Sequence, residues 1–550
     1  MRPFVRALAA GILAAAAALA QMSSFPKPSY FRETFQRTRT KVELRDPVRL
    51  KDFVVDGKLE LSLKNYLALV MANNTDIQLQ LLSVEVPRNA METALGAWDP
   101  KAAASFSATR ATTLPLSATT AQNVNALAKS LNQPYSLAYT QTLPEGLQYQ
   151  AQFFGAKTYS TNSFSSYNPA LTANMRVSVT QPLLQNRGTY VNRIPLMQAQ
   201  VGYKASQEQQ KQQLLTLVET AENAYWNVVS ACENLKVAEA GRTNADEFLK
   251  YMQKQLDLGA LSPLDIYNPQ QSLAAAELTV SQARFSLAQA EHALRRQMGA
   301  DLDPDVRTLP IVLTESVDPG PAGFISIDRE QKIELALMNH PAIRQAVEKM
   351  DLDDLGIQSA KNGLLPNLSL SMSYQATGTG GIYFPSSSLF GGTAGVPVVG
   401  GITEAFSQMF GLGYPTYFAS LNLTLPIRNR ASSAAMANAL VQKKTDALNL
   451  RNEQQAIRLN ILTAISKLEG AEEQLKLARI QLGFAQKNLD AENTKFQLGS
   501  EINQNVINAQ QVLVQAESAV VTNQVGVRLN LLNLLTQTGE LLEQRGIVVK

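Results

Sequence analysis

Cysteine and histidine are almost absent from this sequence of 550 residues. The one cysteine is Cys232, and the two histidines are His292 and His340. A single cysteine cannot form an intramolecular disulfide, and two histidines cannot build a histidine-rich metal site, so we expect neither a metal nor another cofactor. Bacterial lipoproteins carry their lipid on a cysteine directly after the export signal. Because Cys232 lies far downstream, we do not expect a lipoprotein.

The chain also has little excess charge. Its 49 Lys and Arg residues and 46 Asp and Glu residues give a formal charge of +3, which falls to +1 without Arg2 and Arg6. A nucleic-acid-binding surface needs a marked excess of basic residues, so no nucleic-acid partner is expected. The glycine-rich segment from Thr377 to Pro415 has no lysine at the spacing of a phosphate-binding loop, and it is interpreted as a flexible surface loop. With no nucleophile elbow or metal-ligand cluster either, the sequence does not indicate an enzyme.

Long apolar runs are missing except at the N-terminus. Arg2 and Arg6 precede an apolar run from Ala7 to Leu19, and Ala18-Leu19-Ala20 is a small-x-small cleavage site. This order is typical of a secretory signal peptide, and the run is too short to span a bilayer. No later run reaches 18 apolar residues, so any membrane contact is expected to come through β-strands.

Proline is absent from two long stretches, residues 196–262 and 427–550, although the chain has 24 prolines. Proline breaks helix interiors, so these stretches are predicted to contain the longest helices. In the second stretch, large apolar residues alternate with alanine at spacings of three and four, the pattern of a coiled-coil seam. The members of this seam are Ile461, Ala464, Leu468, Ala471, Leu475, Ala478, Leu482, Ala485 and Leu489.

The first half of the chain repeats this pattern on a predicted helix from Gly188 to Asp257. At about 1.5 Å per residue, such a helix is on the order of 100 Å long, more than a compact globule needs. Helices of this kind are compatible with a secreted coiled-coil structural or adhesion protein, which is kept as the alternative. A periplasmic adaptor also has a helical hairpin, but the lipoyl-like β module expected of one is not found.

The chain is predicted to be a tandem duplication. The segment 73–77 matches 339–343 at an offset of 266 residues, and later Leu258-Gly259 matches Leu498-Gly499 at an offset of 240. Each half is interpreted as a helix, a strand region, a long helix, a turn and a return helix. The predicted divisions are a signal peptide (1–20), an extended N-terminal arm (21–58), a first repeat (59–300), a linker (301–323), a second repeat (324–542) and a C-terminal tail (543–550).

The strand regions alternate apolar and small polar residues, as a sheet between lipid and water requires. The clearest segments are Met175–Thr180, Leu368–Tyr374 and Ala419–Leu425. The first repeat has further alternation at 135–139 and 148–153, which fits either an extra extracellular hairpin or additional barrel strands. Each chain therefore offers four to six strands, too few to close a pore without copies of itself.

In its duplication, export signal, paired strand regions and heptad helices, the sequence resembles the outer-membrane efflux protein family, the TolC-like channels. The resemblance covers Leu59 to Leu542 and rests on the order of short motifs. These motifs are Gly96-Ala97-Trp98-Asp99-Pro100, Leu364-Leu365-Pro366, Thr180-Gln181-Pro182-Leu183-Leu184 and the two Leu-Gly turns.

The resemblance implies a mixed α and β fold that closes only as a homotrimer. The long helical hairpins would form an α-barrel in the periplasm, continuous with a twelve-stranded transmembrane β-barrel in outer-membrane lipid. The implied function is that of a channel subunit in a tripartite efflux or type I secretion system. Its partners would be a periplasmic adaptor protein and an inner-membrane transporter that supplies the energy.

The resemblance also assigns roles to the ends of the helical hairpins. The adaptor-contact residues would be Leu258, Gly259 and Ala260 in the first repeat, and Leu498, Gly499 and Ser500 in the second. Physically, glycine suits a tight turn after a helix, and any antiparallel helix pair needs such a corner.

Some family members have acidic residues at the second tip, where they charge the periplasmic gate. The matching positions here are Asn505 and Asn508, so the sequence argues against an acidic ring there. Asp265 matches Asn505 in the first repeat and is the candidate carboxylate of the gate. A lone Asp near a helix start also compensates the helix dipole, so both interpretations stay open.

Overall fold

A computed structural model describes most of the chain, and the described residues all lie within the unit Leu50–Lys550. The predicted signal peptide, the arm before residue 53 and about half of the predicted linker lie outside the described residues. The described ranges are 53–55, 57–113, 127–161, 166–259, 262–300, 307–318, 328–385 and 396–547.

The helices dominate the fold, and two of them are very long. The helix α4 has 69 residues and α9 has 68, and both lie mainly in the proline-poor stretches. The helices are α1 (Leu63–Asn73), α2 (Thr75–Ser83), α3 (Glu85–Leu95), α4 (Thr189–Asp257), α5 (Tyr267–Gln297), α6 (Arg329–Asn339), α7 (Pro341–Gly363), α8 (Ile402–Phe410), α9 (Arg430–Gln497), α10 (Asn503–Thr538) and α11 (Leu541–Gln544).

The long helices pack side by side in the order α5–α4–α10–α9. The predicted seam of α9 is inside this layer: Ile461, Ala464 and Leu468 are buried, and the pattern continues to Leu489. Alanine between larger residues lets neighbouring helices approach closely, so the seam explains why the helices pack along their length. Among the described helices, none is both long and apolar enough to cross a membrane.

The main apolar core lies where α1 and the short C-terminal helix α11 meet α4. The Tyr66 hydroxyl donates to the Ala221 carbonyl at 3.0 Å, and the rings of Tyr66 and Tyr225 are 5.5 Å apart. Glu222 is 1% exposed, and Arg545 binds both of its carboxylate oxygens. A buried carboxylate needs such a partner, so this ion pair fixes the C-terminal segment against α4.

A corner between two helices occurs at corresponding places in the two halves. Asn74 separates α1 from α2, and its side chain accepts hydrogen bonds from the Asp76 and Ile77 N–H groups. Residue 340, which is 266 positions later, separates α6 from α7, and Nδ1 of His340 accepts from the Ala342 N–H at 3.3 Å. Both residues thus cap the following helix, as N-cap side chains do.

A small sheet joins residues from the predicted arm and the predicted linker. The strand β2 (Lys58–Leu61) pairs with β1 (Val54–Val55) in the antiparallel sense. It also pairs in parallel with β8 (Ile311–Leu313), and Leu59 and Leu61 of β2 are buried in the main core. The end of the arm is therefore attached to the helical layer.

The main sheet is six strands wide. β3 and β4 both pair with β5, one after the other, so they occupy a single position at one edge. Next come β6, β7 and β9, and β11 forms the other edge. The short strand β10 also pairs with β9, beyond the end of β11. The strands are β3 (Lys101–Phe106), β4 (Thr109–Thr113), β5 (Ala128–Thr142), β6 (Gln148–Ser160), β7 (Tyr167–Pro182), β9 (Asn367–Tyr383), β10 (Val398–Val399) and β11 (Pro415–Thr424).

The register aligns apolar residues on one face of the sheet and polar residues on the other. On the apolar face, Leu421 lies opposite Leu370, and Val179 lies opposite Met372. The same alternation extends across all six strand positions, as cross-strand pairing requires. The apolar face includes Ala104, Phe106, Leu137, Tyr139, Phe153, Val177, Val179, Leu370, Met372, Leu421 and Leu423, and the polar face includes Ser136, Gln150, Gln152, Ser178, Thr180, Ser371, Ser373, Ser420 and Asn422.

The first repeat contributes an additional hairpin to this sheet. The second repeat places β9 and β11 across the sheet, whereas the first places β3/β4, β5, β6 and β7 there. The segments 135–139 and 148–153 lie in β5 and β6. Of the two predicted alternatives, they are therefore additional strands of the main sheet and not a hairpin outside it. The six strand positions of the described sheet also exceed the four per copy that a twelve-stranded trimeric barrel requires.

The glycine-rich segment after Thr377 differs from the predicted loop. β9 continues to Tyr383, and α8 occupies residues 402–410. α8 packs on β7 and β9, and Gly378 and Gly380 lie beneath it. Glycine there makes room for a helix backbone, which is why a composition typical of a loop forms a strand. Residues 386–395 of this segment lie outside the described residues.

The His340 corner predicts a pH dependence of stability. Burial lowers the pKa of His340 from its ordinary 6.5. The unfolded chain therefore binds a proton more readily, so stability should fall as the pH drops from about 6.5 towards the lowered pKa, by no more than about 1.4 kcal/mol per pH unit. His340→Asn introduces the residue that caps α2 and should reduce this dependence.

The measurement is thermal unfolding in detergent, monitored by circular dichroism at several pH values between 7.5 and 5. Asp328→Asn, at the start of α6, serves as the control because its side-chain oxygen can still accept from the Glu330 and Gln331 N–H groups, and it should keep the wild-type pH dependence. An identical pH dependence in wild type and His340→Asn would show that His340 is not the titrating group.

Candidate functional site at the helix tips

The first tip is the turn between α4 and α5. Leu258 ends α4, and Gly259 has a φ of 74°, a left-handed conformation that favours glycine. Ala260, predicted as an adaptor contact, lies outside the described residues. After it, Ser262 caps a 3₁₀ turn, Pro263–Ile266, that leads into α5.

The second tip has the same geometry at its start. Gly499 has a φ of 75°, and the Ser500 N–H donates to the Lys495 carbonyl at 3.0 Å, closing the end of α9. The Ser500 hydroxyl donates to the same carbonyl. Apart from the adjoining residues, no atom of the described part of the chain lies within 4 Å of an added Cβ at Gly259 or Gly499, so backbone conformation rather than crowding favours glycine there.

Large apolar side chains are exposed at both tips. Leu258 is 79% exposed and Leu498 is 78% exposed, and Leu264, Tyr267 and Ile502 are also mostly exposed. Side chains of this size are normally covered, and a group of them at the end of a rod is typical of a partner contact. A buried apolar cluster lies next to these exposed residues, further from the ends of the helices.

The core behind the tips holds the two helical hairpins together. Phe248 and Met252 of α4 are buried against Val506 and Ile507 of α10. The ring of Phe248 is 5.8 Å from that of Phe496 on α9. These contacts fix the position of one tip relative to the other.

Among the described residues, a side-chain hydrogen bond joins the two tips directly. Nδ2 of Asn503, at the start of α10, donates to the carbonyl oxygen of Asp265 at 2.9 Å. The predicted gate residue Asp265 therefore lies beside the second-repeat tip, although its carboxylate is used locally. It accepts from the Ser262 N–H at 3.3 Å and so forms a capping box with Ser262.

The predicted gate residues of the second repeat make local contacts. The Asn505 side chain donates to Glu501 at 2.6 Å, and Asn508 accepts from Gln504 at 2.9 Å. Asn505 and Asn508 lie one helical turn apart on α10, whereas Asp265 lies in the 3₁₀ turn of the first tip. In the part of the chain that the structure describes, no cluster of three His, Cys, Asp or Glu residues suited to a metal ion occurs.

Glu501 is the residue at this tip that the sequence interpretation missed. The Ile502 N–H and the Asn505 amide donate to its carboxylate, and these bonds lower its pKa. The second tip thus has a negative charge even though asparagine occupies positions 505 and 508. Its sequence signal was an acidic residue directly after the Gly499-Ser500 turn.

The two layers have open sides at matching places. Among the described strands, β3/β4 pairs only with β5, and β11 pairs only with β9. In the helical layer, α5 and α9 are the outer helices, and both expose apolar side chains. On α5 these are Leu278 and Phe285; on α9 they include Leu477, Ile480 and Phe484.

Comparison with known proteins agrees with this geometry. The sequence profile of the family described as "Outer membrane efflux protein" matches residues 148–300 and 332–540, more than half of the chain. The first matched segment begins with β6, so the strands β3, β4 and β5 lie outside the match. Known relatives and solved structures resemble the chain more distantly.

Among curated proteins, the chain is 19% identical to the probable efflux pump outer membrane protein TtgC of Pseudomonas putida over 350 residues. It is 21% identical to the cation efflux system protein CusC of Escherichia coli over 339 residues. These matches cover 62% and 61% of the chain, and the chain spans only 64% and 66% of the relatives' own length.

Solved structures share the fold over nearly the whole chain. A crystal structure of CusC superposes with a TM-score of 0.61 at 16% identity, covering 88% of this chain and 93% of that one. The outer membrane channel CmeC of Campylobacter jejuni gives a TM-score of 0.59 at 16% identity, covering 92% and 90%. The predicted resemblance is confirmed: the chain belongs to the outer membrane efflux protein family.

Proposed function

We propose that this chain is one subunit of a homotrimeric outer-membrane channel in a tripartite efflux or type I secretion system. It is a passive conduit without enzymatic activity. The observation that carries the proposal is the matching order of the two layers. Each layer has a first-repeat element at one open side, β3/β4 or α5, and a second-repeat element at the other, β11 or α9.

Matching open sides favour a closed ring of identical copies. Each copy joins its second-repeat side to the first-repeat side of the next, which is a head-to-tail contact that closes by rotation. The exposed apolar residues of α5 and α9 then become covered. Three copies with six strands each give eighteen strands, and this number leaves a water-filled pore.

The two faces of the sheet support its location in the outer membrane. Backbone groups in lipid must be satisfied by closed pairing, and the outer face must be apolar. Leu421 and Val179 lie on the face that meets lipid, whereas Ser373 and Gln152 line the pore. The helical layer extends into the periplasm, where the tips lie. Export through a cleaved signal and the lack of a lipid anchor belong to the same proposal.

The tips are the proposed contact for a periplasmic adaptor, which in turn binds the energised inner-membrane transporter. The exposed Leu258 and Leu498 support this role because a partner that covers them removes apolar surface from water. Ala260 and Ser500 are included by their positions beside the turns. We further propose that Asp265, Asn505, Asn508 and Glu501 surround the periplasmic gate.

The proposal predicts a trimer that requires detergent and conducts ions. The full chain, extracted from the membrane fraction, should have three times the protomer mass after correction for bound detergent. In planar bilayers it should show discrete conductance steps. An elongated monomer that stays in solution without detergent and shows no conductance would contradict the proposal and would instead fit a secreted coiled-coil protein.

The gate predicts a specific leak mutant. Asn503→Ala removes the hydrogen bond to Asp265 that joins the two tips, so the closed state loses roughly 0.5–1.5 kcal/mol per subunit. The equilibrium between the closed and open states of the gate depends on their free-energy difference. Because the mutation reduces this difference, we expect the open probability without adaptor to rise severalfold.

Asn523→Ala is the matched control, since it makes the same substitution on the same helix, where Asn523 donates to the Ala519 carbonyl at 2.8 Å, away from the tips. Both variants are compared by single-channel recording at the same voltage and salt concentration. Equal open probabilities for the two variants would show that the Asn503 hydrogen bond does not stabilise the closed state.

A further inference from the structure

We propose that α8, together with residues Val396–Val399 before it, is a membrane-surface anchor that lies against the outer leaflet of the bilayer on the lipid side of the sheet. The proposal rests on the proposed function, because it takes the apolar face of the sheet as the lipid face. It assigns a role to a segment that the sequence interpretation treated as a loop.

The first step is the face on which α8 docks. Ala405 and Met409 of α8 are fully buried against Ala173 of β7 and Ala376 of β9. Both alanines alternate in register with the apolar face, since Ala376 follows Met372 and Tyr374 at spacings of two. The helix therefore lies outside the pore.

The second step is that the sheet is shaped for this helix. A Cβ at Gly378 would lie 1.8 Å from the Ala405 carbonyl oxygen, and one at Gly380 would lie 2.1 Å from the Gly401 oxygen. Thr377 and Thr379, beside and between these glycines, point to the other face, where the Thr377 hydroxyl donates to Oδ1 of Asn174 at 2.9 Å. The close approach is thus confined to the lipid side, and the helix is a fixed part of the fold.

The third step is the height of α8 along the strands. β9 begins at Asn367, shortly after α7, and β11 ends at Thr424, shortly before α9. The helical layer thus lies at that end of the sheet, and Gly378 and Gly380 lie towards the opposite end. If the helices are periplasmic, α8 is level with the outer leaflet.

The fourth step is what α8 leaves uncovered. Phe410 is 67% exposed and Val399 is 81% exposed, and Tyr414 and Tyr417 follow on the approach to β11. The polar side chains Thr403, Glu404 and Ser407 are exposed on α8 as well. Residues three and four apart share a helix face, so Phe410 lies at the end of the outward stripe of Thr403 and Ser407, whereas the apolar face of α8 is turned to the sheet. The uncovered apolar surface therefore consists of Phe410, Val396–Val399 and the two tyrosines, with the polar stripe of α8 beside it. Aromatic residues are also enriched at this depth on membrane strands.

The exposed apolar residues continue directly into the lipid-facing band of the sheet. Tyr417 is followed at spacings of two by Ala419, Leu421 and Leu423 on the same face of β11. Because of this continuity, we take lipid as what covers the exposed apolar residues around α8. The same bilayer then covers these residues and the apolar band of β11. Nine residues would bind a bilayer only weakly alone, but the sheet already holds α8 in place.

The test measures the surroundings of single spin labels in the full trimer reconstituted into phosphatidylethanolamine and phosphatidylglycerol vesicles. Cys232→Ser gives a background without cysteine, to which Phe410→Cys, Leu421→Cys or Asn422→Cys is added. Oxygen concentrates in lipid and a nickel chelate in water, so their accessibility ratio reports which one surrounds the label. Leu421 and Asn422 are adjacent residues on opposite faces of β11.

We expect the ratio of oxygen to nickel accessibility at Phe410 and Leu421 to be severalfold higher than at Asn422. A water-like ratio at Phe410 with a lipid-like ratio at Leu421 would overturn the anchor and leave the channel proposal intact. Low accessibility of Phe410 to both reagents would also overturn it, in favour of contact with another copy of the chain. Water-like ratios at both Phe410 and Leu421 would contradict the lipid face itself.

Discussion

The structure depends on one constraint, the need to pair the backbone groups at the two edges of the sheet. β3/β4 and β11 each pair on one side only among the described strands. A sheet with an apolar face that enters lipid cannot leave such edges open, since no water is there to bind the free N–H and C=O groups. In the proposed trimer, head-to-tail closure between copies would satisfy both edges at once, and the order of the long helices would bring α5 and α9 together by the same rotation.

Within each copy, several contacts fix the long helices relative to one another. The alanine-containing seam packs α9 on α10 along its length, and the Glu222–Arg545 ion pair attaches the C-terminal segment to α4. The corners at Asn74 and His340 turn the chain at corresponding places in the two halves. The large core around Glu222, in the middle of the long helices, contrasts with the tips, where among the described residues a side-chain bond from Asn503 and a small apolar core join the two hairpins. This contrast is what a channel needs if it is to open at one end only.

Much of the fold was predictable because its strongest signals are local. Proline-free stretches and a three-four spacing predict long helices, and the left-handed turn after each helix has its glycine at position 259 or 499. Strand pairing is not local: the alternation at 135–139 indicated a strand but not its partner, so the width of the sheet emerged only from the structure. The helix α8 was hidden because Gly378 and Gly380 have the composition of a loop and are required by the approach of another backbone. Glu501 was missed because the resemblance directed attention to positions 505 and 508, whereas hydrogen bonding brings a neighbouring carboxylate to the same place.

Closure between copies is tested most directly by cysteine cross-linking of the two open edges. In the Cys232→Ser background, Ala104→Cys on β3 is combined in turn with one cysteine at each position of β11 from Pro415 to Thr424, and the membranes are oxidised. If β11 of one copy pairs with β3 of the next, cross-linked dimers and trimers should form at the β11 position opposite Ala104, and at most at positions two residues away on the same face, because a disulfide needs Cα atoms within about 7 Å. Without cross-links at any position, or with equal cross-linking on both faces, the edges would not be paired and the account would be wrong.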